Sequence, residues 1–393
     1  MKKEKTNNIF FLIMFFCFLA YGMLALIRTP KDISYSENRT LNKFQQFTVT
    51  NFLDGTYQSG LENAYTDQFV GGGRIKNLMN NNLSFSRYMV NIPELCEDAY
   101  ISVGNGYYFW DCNQQFVSYP TKDSEEVQKR YEKIGKKYST LNNKLDMYYY
   151  YVTSPINYDM SKEKMSVNVS ELMENYWSGD YKFDYLKVDN SEELMSYFYK
   201  TDHHWNYKGS YEGYKDIMKL LGAESEIKKP VETISFDVDF YGSASRVTSI
   251  YEYAEKFTVH KFDYQEHEMF IDGEKRNYGS EPEYFDGKYE TSKEMNHYGI
   301  YYGGDYAEVL FDFKNPKKDN VLIIGNSFTN AVNKLVASGF NKTYVVDLRH
   351  YENTFGKKFN IEEYVKENKI DKVLILMDYT YMLGAEFDMW GDK

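Results

Sequence analysis

Asp319-Asn320-Val321-Leu322-Ile323-Ile324-Gly325-Asn326-Ser327-Phe328-Thr329-Asn330-Ala331-Val332 is the stretch from which the fold is read. Four apolar, mostly β-branched residues run into Gly-Asn-Ser and then into a helix-compatible segment. A parallel strand buried on both faces delivers a serine to the carboxyl edge of an α/β sheet in this way. Such sheets hold ligands beyond the carboxyl ends of their strands, which marks Ser327 as a candidate nucleophile. Gly325 permits the tight turn, and a helix over Thr329 to Ser338 would aim its amides and dipole at negative charge beside Ser327. An acyl-transfer oxyanion meets that description. A serine that caps a helix after a core strand fits the same residues, so this stretch alone leaves both roles open.

Thr201-Asp202-His203-His204-Trp205-Asn206 adds weight to the chemical role. The chain has six histidines, and two adjacent ones here follow an aspartate and precede one of four tryptophans. A hydroxyl is a poor nucleophile until a base takes its proton, and the base needs an acid to hold its tautomer. Asp202 and His204 supply both from one turn and would meet Ser327 through the fold. His203 reads as an alternative base or a structural donor, and Trp205 as the packing that holds the loop. A metal site at Asp202, His203 and His204 is the rival reading. Adjacent histidines diverge, and the sequence shows neither a third ligand cluster nor a Cys-x-x-Cys or other zinc pattern, so no metal and no cofactor is expected.

Asp-His-His-Trp is the name-giving signature of the DHHW protein family, which this chain resembles. Through it the chain is similar to the alginate O-acetyltransferase (AlgX/AlgJ-like) group of SGNH-type hydrolases and acyltransferases. That group carries a D-x-H-W box and, much later, a G-D-S-[FY] box. Other matches are Glu37-Asn38-Arg39, Asp67-Gln68-Phe69, the Gly104-Asn105-Gly106-Tyr107-Tyr108-Phe109 hairpin and Asp347-Leu348-Arg349-His350-Tyr351. The resemblance covers most of residues 35–380, is specific in the two boxes, and is weak between about 225 and 295. It implies an SGNH-like fold, with Ser327 as nucleophile, His204 as base and Asp202 as orienting acid. His204 ranks above His203 because the D-x-H pattern uses the second position. It also implies a cell-surface or cell-wall polysaccharide as acceptor and a membrane-bound protein as acyl donor. Oxyanion donors are expected in the Ser327 and Phe328 amides. Arg349, at a strand end, reads as a salt-bridge residue, with electrostatic help to the site as the alternative. Two departures stand out. Asn326 replaces the group's Asp, and no counterpart of the Asn-containing third SGNH block is visible.

Along the rest of the chain, Lys2, Lys3 and Lys5 precede nineteen uncharged, mainly apolar residues from Ile9 to Ile27. That run is long enough for the roughly 30 Å hydrocarbon layer and reads as an uncleaved membrane anchor with the body outside the cytoplasm. A signal peptide cleaved near Gly22 is the rival. The expected domains are an anchor over 1–30, a stalk over 31–60, and an extracytoplasmic α/β domain over 61–393 with an insertion at about 225–300. Residues 61–95 read as helical around Gly71-Gly72-Gly73, a turn that no P-loop Lys follows. Val127, Tyr131, Ile134, Tyr138, Leu141 and Leu145 mark one helix face, begun by an Asp123/Glu126 capping box. Met147 to Val152 reads as a buried strand and Ser170 to Trp177 as a short helix. Tyr207, Tyr211, Tyr214, Met218 and Leu221 fall on a further helix face that Gly222 ends. Residues 230–300 lack helical periodicity and read as an inserted β-rich lobe with a hairpin at Asp272-Gly273. A strand Tyr344 to Asp347, a helix begun by Asn360 with Glu363, and a strand Lys372 to Met377 follow. The β-α-β-α-β run predicts a doubly wound, mostly parallel, flavodoxin-like sheet.

The net charge of −12 and the lack of a basic cluster exclude nucleic acid as a partner. An acidic polymer would need a locally basic groove. With 40 Tyr and 27 Phe the core can be large, and tyrosine doubles as a stacking platform for sugars. Cys96 and Cys112 flank the glycine hairpin and are a candidate disulfide, while Cys17 lies in the apolar run. Taken together, the sequence favours an extracytoplasmic serine O-acyltransferase or esterase acting on a glycan. A non-catalytic glycan-binding protein is the alternative.

Overall fold

The computed structural model describes residues 124–248, 250–276 and 295–378 without a break, together with parts of 14–68 and of 96–121. Apart from 14–16, the Ile9–Ile27 run lies outside the described residues, as does Cys112 of the candidate disulfide. Among the described residues no helix is long and apolar enough to cross a membrane.

The chain forms two compact units, residues 1–91 with 246–250 and residues 92–245 with 251–393. In the first, a two-residue strand pair (Ile33–Ser34 with Arg39–Thr40) is followed by helices Val49–Leu53 and Thr56–Gln68. The stretch expected as a polar stalk therefore carries regular structure. Its loop at Asn42 is tied to the second helix by the Asn42 amide and side chain, both donating to Asp67 at 2.8 Å.

The second unit is built on an eight-stranded sheet. Its strands in chain order are β1 (Met147–Val152), β2 (Tyr181–Tyr185), β3 (Glu268–Ile271), β4 (Glu274–Arg276), β5 (Glu308–Asp312), β6 (Val321–Gly325), β7 (Lys342–Val346) and β8 (Lys372–Asp378). Across the sheet they run β2-β1-β8-β6-β7-β5-β3-β4. The first five are mutually parallel, and β5, β3 and β4 add an antiparallel flank. A flavodoxin-like sheet would carry its last strand at the edge. Here β8 instead enters between β1 and β6, pairing Ile324 with Ile375 on one side of itself and Met147 with Val373 on the other.

Side chains alternate across β6. Leu322 and Ile324 enter one core with Tyr131 and Tyr138 of α1 (Glu125–Asn142), Leu172 of α2 (Val169–Tyr176) and Tyr351 and Tyr364 from two later helices. Val321 and Ile323 enter the other with Trp205 and with Tyr214, Ile217 and Met218 of α3 (Tyr207–Leu220). Helices thus cover both faces, which is why β6, like β1, is buried at every position and reads as an unbroken apolar run rather than an alternating one. The caps follow the sequence closely. Asn206 accepts from the Lys208 and Gly209 amides to start α3, and Ser124 Oγ accepts from the Val127 amide to start α1, while Asp123 of the expected capping box lies outside the described residues.

The expected β-rich insertion is only half separate. Glu232–Phe240 and Glu255–Lys261 form an antiparallel ribbon with a small core of its own, Phe236, Phe240, Phe257 and Val259 against Tyr199 and Tyr298. The next hairpin, turning through Asp272 and Gly273 at φ 50° and 83°, joins the main sheet as β3 and β4. Ladder pairing with β5 extends the apolar sheet, which local periodicity does not reveal. Ile323 is fully buried at the centre of this arrangement. Ile323→Ala is therefore expected to lower unfolding stability by roughly 2–5 kcal/mol, measured by urea denaturation, and a loss below about 1 kcal/mol would contradict the central placement of β6.

Candidate active site

Strand β6 ends at Gly325. A Cβ there would lie 2.3 Å from the Leu376 carbonyl oxygen of β8 and 2.3 Å from the Thr329 methyl carbon, so glycine is required by close approach rather than by an unusual turn angle. Ser327 then opens a five-residue 3-10 turn, Ser327–Ala331, followed by a five-residue helix, Asn333–Ala337. The continuous helix expected over Thr329 to Ser338 does not form, and with it goes the strong dipole. Asn326 explains the local geometry: its side chain accepts from the Phe328 amide at 3.2 Å, and its carbonyl accepts from the Thr329 amide and hydroxyl, both at 2.9 Å. The Phe328 amide is therefore engaged and is not a free oxyanion donor. The Ser327 amide has no acceptor among the described residues.

Asp202, His203, His204 and Trp205 lie in the loop before α3. Asp202 and His204 are buried, and His203 is exposed. His204 Nδ1 lies 2.5 Å from Asp202 Oδ1, and the same oxygen accepts from the His204 amide at 3.0 Å. The other oxygen, Oδ2, accepts from the Ser243 amide at 2.6 Å. On the far side of the ring, His204 Nε2 is 2.8 Å from Ser327 Oγ. A carboxylate can only accept, so the imidazole proton sits on Nδ1 and the Nε2 lone pair faces the serine hydroxyl. The two boxes, with His204 and Ser327 separated by 123 positions in sequence, thus meet in one hydrogen-bonded line.

Several groups fix that line. The Trp205 indole donates to the Phe328 carbonyl at 3.1 Å, tying the box directly to the serine turn. Gly242 lies so close to the loop that a Cβ would sit 2.3 Å from Asp202 Cβ and from the Thr201 carbonyl oxygen. Glu255 accepts from the Lys200 and Thr201 amides at 2.6 and 3.2 Å. Tyr298 was not foreseen, since it lies in the segment without periodicity. Its ring stacks on His204 at 3.9 Å and 9°, and its hydroxyl donates to the Ser327 carbonyl at 3.0 Å. Burial holds its phenol pKa well above the ordinary value, so it remains a donor.

The remaining candidates fall elsewhere or play supporting parts. His203 Nδ1 pairs with Ser243 Oγ at 2.7 Å and stands 3.7 Å from Asp202. Arg349 is held by Asp347 at 2.5 Å and Asp305 at 3.2 Å, the salt-bridge role. Asn326 faces Asp378, its Nδ2 lying 3.5 Å from Oδ1, and both are largely buried. An aspartate at 326 would set two carboxylates against each other, so Asn is the residue this pocket accommodates without a shared proton. Asp202, His203 and His204 do offer three ligand atoms within 4.8 Å of one another. A cation there would have to break the short Asp202–His204 bond.

No family model and no curated protein matches the sequence. The fold, however, is similar to that of solved structures. Bacillus cereus PatB1, solved with a sulfonyl adduct, aligns at 20% identity over 72% of this chain and 97% of its own, with a TM-score of 0.53. A DHHW family protein from Eubacterium siraeum aligns at 16% identity over 75% and 98%, also at 0.53. Pseudomonas aeruginosa AlgX overlaps 73% of this chain and 64% of its own at 12% identity and a TM-score of 0.34, too remote to carry an argument. The Eubacterium siraeum neighbour is in keeping with the DHHW resemblance carried by the Asp202 box, and at these identities what the neighbours share with this chain is the fold.

Glu255 generates a test of how the box is held. Burial, with the Asp202 charge adding to it, pushes its carboxyl from 4.5 up to about 7 despite the two amide bonds that favour the anion. The folded state then binds more protons than the unfolded chain between those values, so stability falls as pH rises from about 4.5 to 7 and is level above. Glu255→Gln keeps an acceptor and removes the titration. Its stability should be flatter across that window in denaturant melts, and an unchanged slope would contradict the assignment.

Proposed function

We propose that the protein is a serine O-acyltransferase or esterase that moves an acyl group, acetyl in the simplest case, on a cell-surface or cell-wall glycan. The single observation that carries the reading is the Asp202–His204–Ser327 line, with contacts of 2.5 and 2.8 Å. A serine that only capped a helix would need no aligned imidazole at its hydroxyl.

In the proposed cycle Ser327 Oγ attacks the acyl carbonyl while its proton passes to His204 Nε2. The new Oγ–C bond forms, the carbonyl electrons move to oxygen, and the Ser327 amide stabilises that charge. As the tetrahedral species collapses, the donor's C–O bond breaks and the leaving oxygen takes the proton from His204. An acceptor hydroxyl, or water in the esterase case, then attacks the acyl-serine. Its proton goes to His204 and returns to Ser327 Oγ as the second C–O bond breaks. Asp202 holds the tautomer and offsets the imidazolium charge in both halves, while the Tyr298 stack restricts the ring to the productive orientation. The glycan and a membrane-bound acyl donor come to this reading from the family resemblance.

Hydrolysis of a chromogenic acetyl ester by the purified domain tests the proposal. Ser327→Ala and His204→Ala should each lower kcat/KM on the order of a thousandfold or more, because triad members fail as a unit. Asp202→Asn should also cost orders of magnitude, His203→Ala should be milder, and chelators should have no effect. A His204→Ala variant as active as the parent, or activity lost to a chelator and restored by a divalent ion, would overturn the reading.

The same proposal keeps the Lys-flanked Ile9–Ile27 run as a membrane anchor with the domain outside the cytoplasm. Protease added to intact cells should digest the domain, and a protected C-terminal region would contradict this topology.

A further inference from the structure

The first unit leaves a group of large apolar side chains in water. Phe47, Val49, Phe52 and Leu61 keep 59%, 66%, 47% and 39% of their surface exposed. Among the described residues outside the Ile9–Ile27 run, Val231 is the only other large apolar side chain so placed. The group is ordered rather than scattered. The Phe47 ring packs on Phe52 at 5.6 Å and edge-on against Tyr57 at 5.3 Å. Leu61 follows Tyr57 by one helical turn and so stands on the same face of Thr56–Gln68. Asp54 is the one charged residue in the sequence from Phe44 to Leu61. An exposed apolar cluster with so little charge around it marks a surface that is covered in use.

What covers it follows from where the chain enters the unit. Gln68, buried at the end of that helix, accepts from the Lys31 amide at 2.8 Å through Oε1. Its Nε2 donates to the Lys31 carbonyl at 2.9 Å and to the Asn42 carbonyl at 3.0 Å. Lys31 is the fourth residue after Ile27, where the apolar run ends, so this clamp stands at most about 14 Å from the end of the anchor. Leu61 lies seven residues before Gln68, about 10 Å along the helix. The helix that carries the patch is thus stapled beside the point at which an anchored chain leaves the bilayer. Laid flat there, it places the four side chains at headgroup depth. The anchor holds them at a local concentration for which a weak apolar contact suffices.

We propose that residues 47–61 form a membrane-contacting face that inserts Phe47, Val49, Phe52 and Leu61 into the lipid interface beside the anchor. The inference rests on the anchor reading of Ile9–Ile27, and the test separates the two. The full chain is reconstituted into vesicles of dibrominated phosphatidylcholine, whose bromines quench tryptophan that enters the acyl region. Asn63→Trp is the control, because Asn63 is exposed and lies two residues past Leu61, on the other side of the helix. Measured above the four native tryptophans, Phe47→Trp should be quenched at least about twice as strongly as Asn63→Trp. That quenching should persist in high salt, since the contact is apolar rather than ionic. Adding Phe52→Ser and Leu61→Ser to Phe47→Trp should cut it by about half or more while the anchor keeps the protein on the vesicles. Strong quenching of Phe47→Trp in a chain that an alkaline wash strips from the vesicles would sink the anchor and spare the face. Quenching of Phe47→Trp no greater than that of Asn63→Trp in a chain that resists the wash would overturn the face and spare the anchor. Neither retention nor quenching would overturn both.

Discussion

The imidazole of His204 is the point on which the rest of the structure converges. It is held on one edge by Asp202, on the other by the Ser327 hydroxyl, and on its face by Tyr298. Each of these comes from a different part of the chain, so the alignment exists only if the sheet, the ribbon and the loop before α3 keep their mutual positions. A displacement of 1 Å would break a 2.8 Å contact. The fully buried parallel strands supply that rigidity, and the Trp205–Phe328 and Tyr298–Ser327 bonds carry it from the sheet to the two boxes.

Close packing also accounts for the sequence choices at the carboxyl edge. Gly325 is the only residue type that lets the end of β6 approach β8 and the Thr329 methyl so closely. Beside it, Asn326 can cap the serine turn and face Asp378 without adding a second negative charge. The substitution that departs from the related boxes thus follows from the neighbour that β8 brings. Because β8 lies directly against β6, its terminal aspartate reaches the turn, which a strand at the edge of the sheet could not do.

What was legible in the sequence was whatever is encoded locally. The apolar runs of β1, β6 and β8, the helix faces of α1 and α3, the Asp272-Gly273 turn and the Asp202–His204 spacing all follow from short-range pattern and side-chain chemistry. The lateral order of strands is not encoded that way. Periodicity says that Lys372–Asp378 is a strand but is silent on its insertion between β1 and β6, and it cannot show β3 and β4 leaving the ribbon for the main sheet. Tyr298, Ser243 and Glu255 were invisible for the same reason, since each acts through a contact across long sequence separation. The expected Phe328 oxyanion donor failed on a local rule instead: an Asn ahead of a turn spends its side chain on the second amide, which takes that donor out of use.

The central claim is that His204 activates Ser327 as a nucleophile. An aromatic sulfonyl fluoride reports this directly, because an activated serine hydroxyl attacks sulfur, expels fluoride and leaves a stable sulfonate ester. Peptide mapping by mass spectrometry after brief exposure of the purified domain should find one adduct, on Ser327, and that adduct should vanish in His204→Ala while the protein remains folded. Labelling spread over surface residues, or an adduct on Ser327 that forms equally fast without His204, would contradict the account.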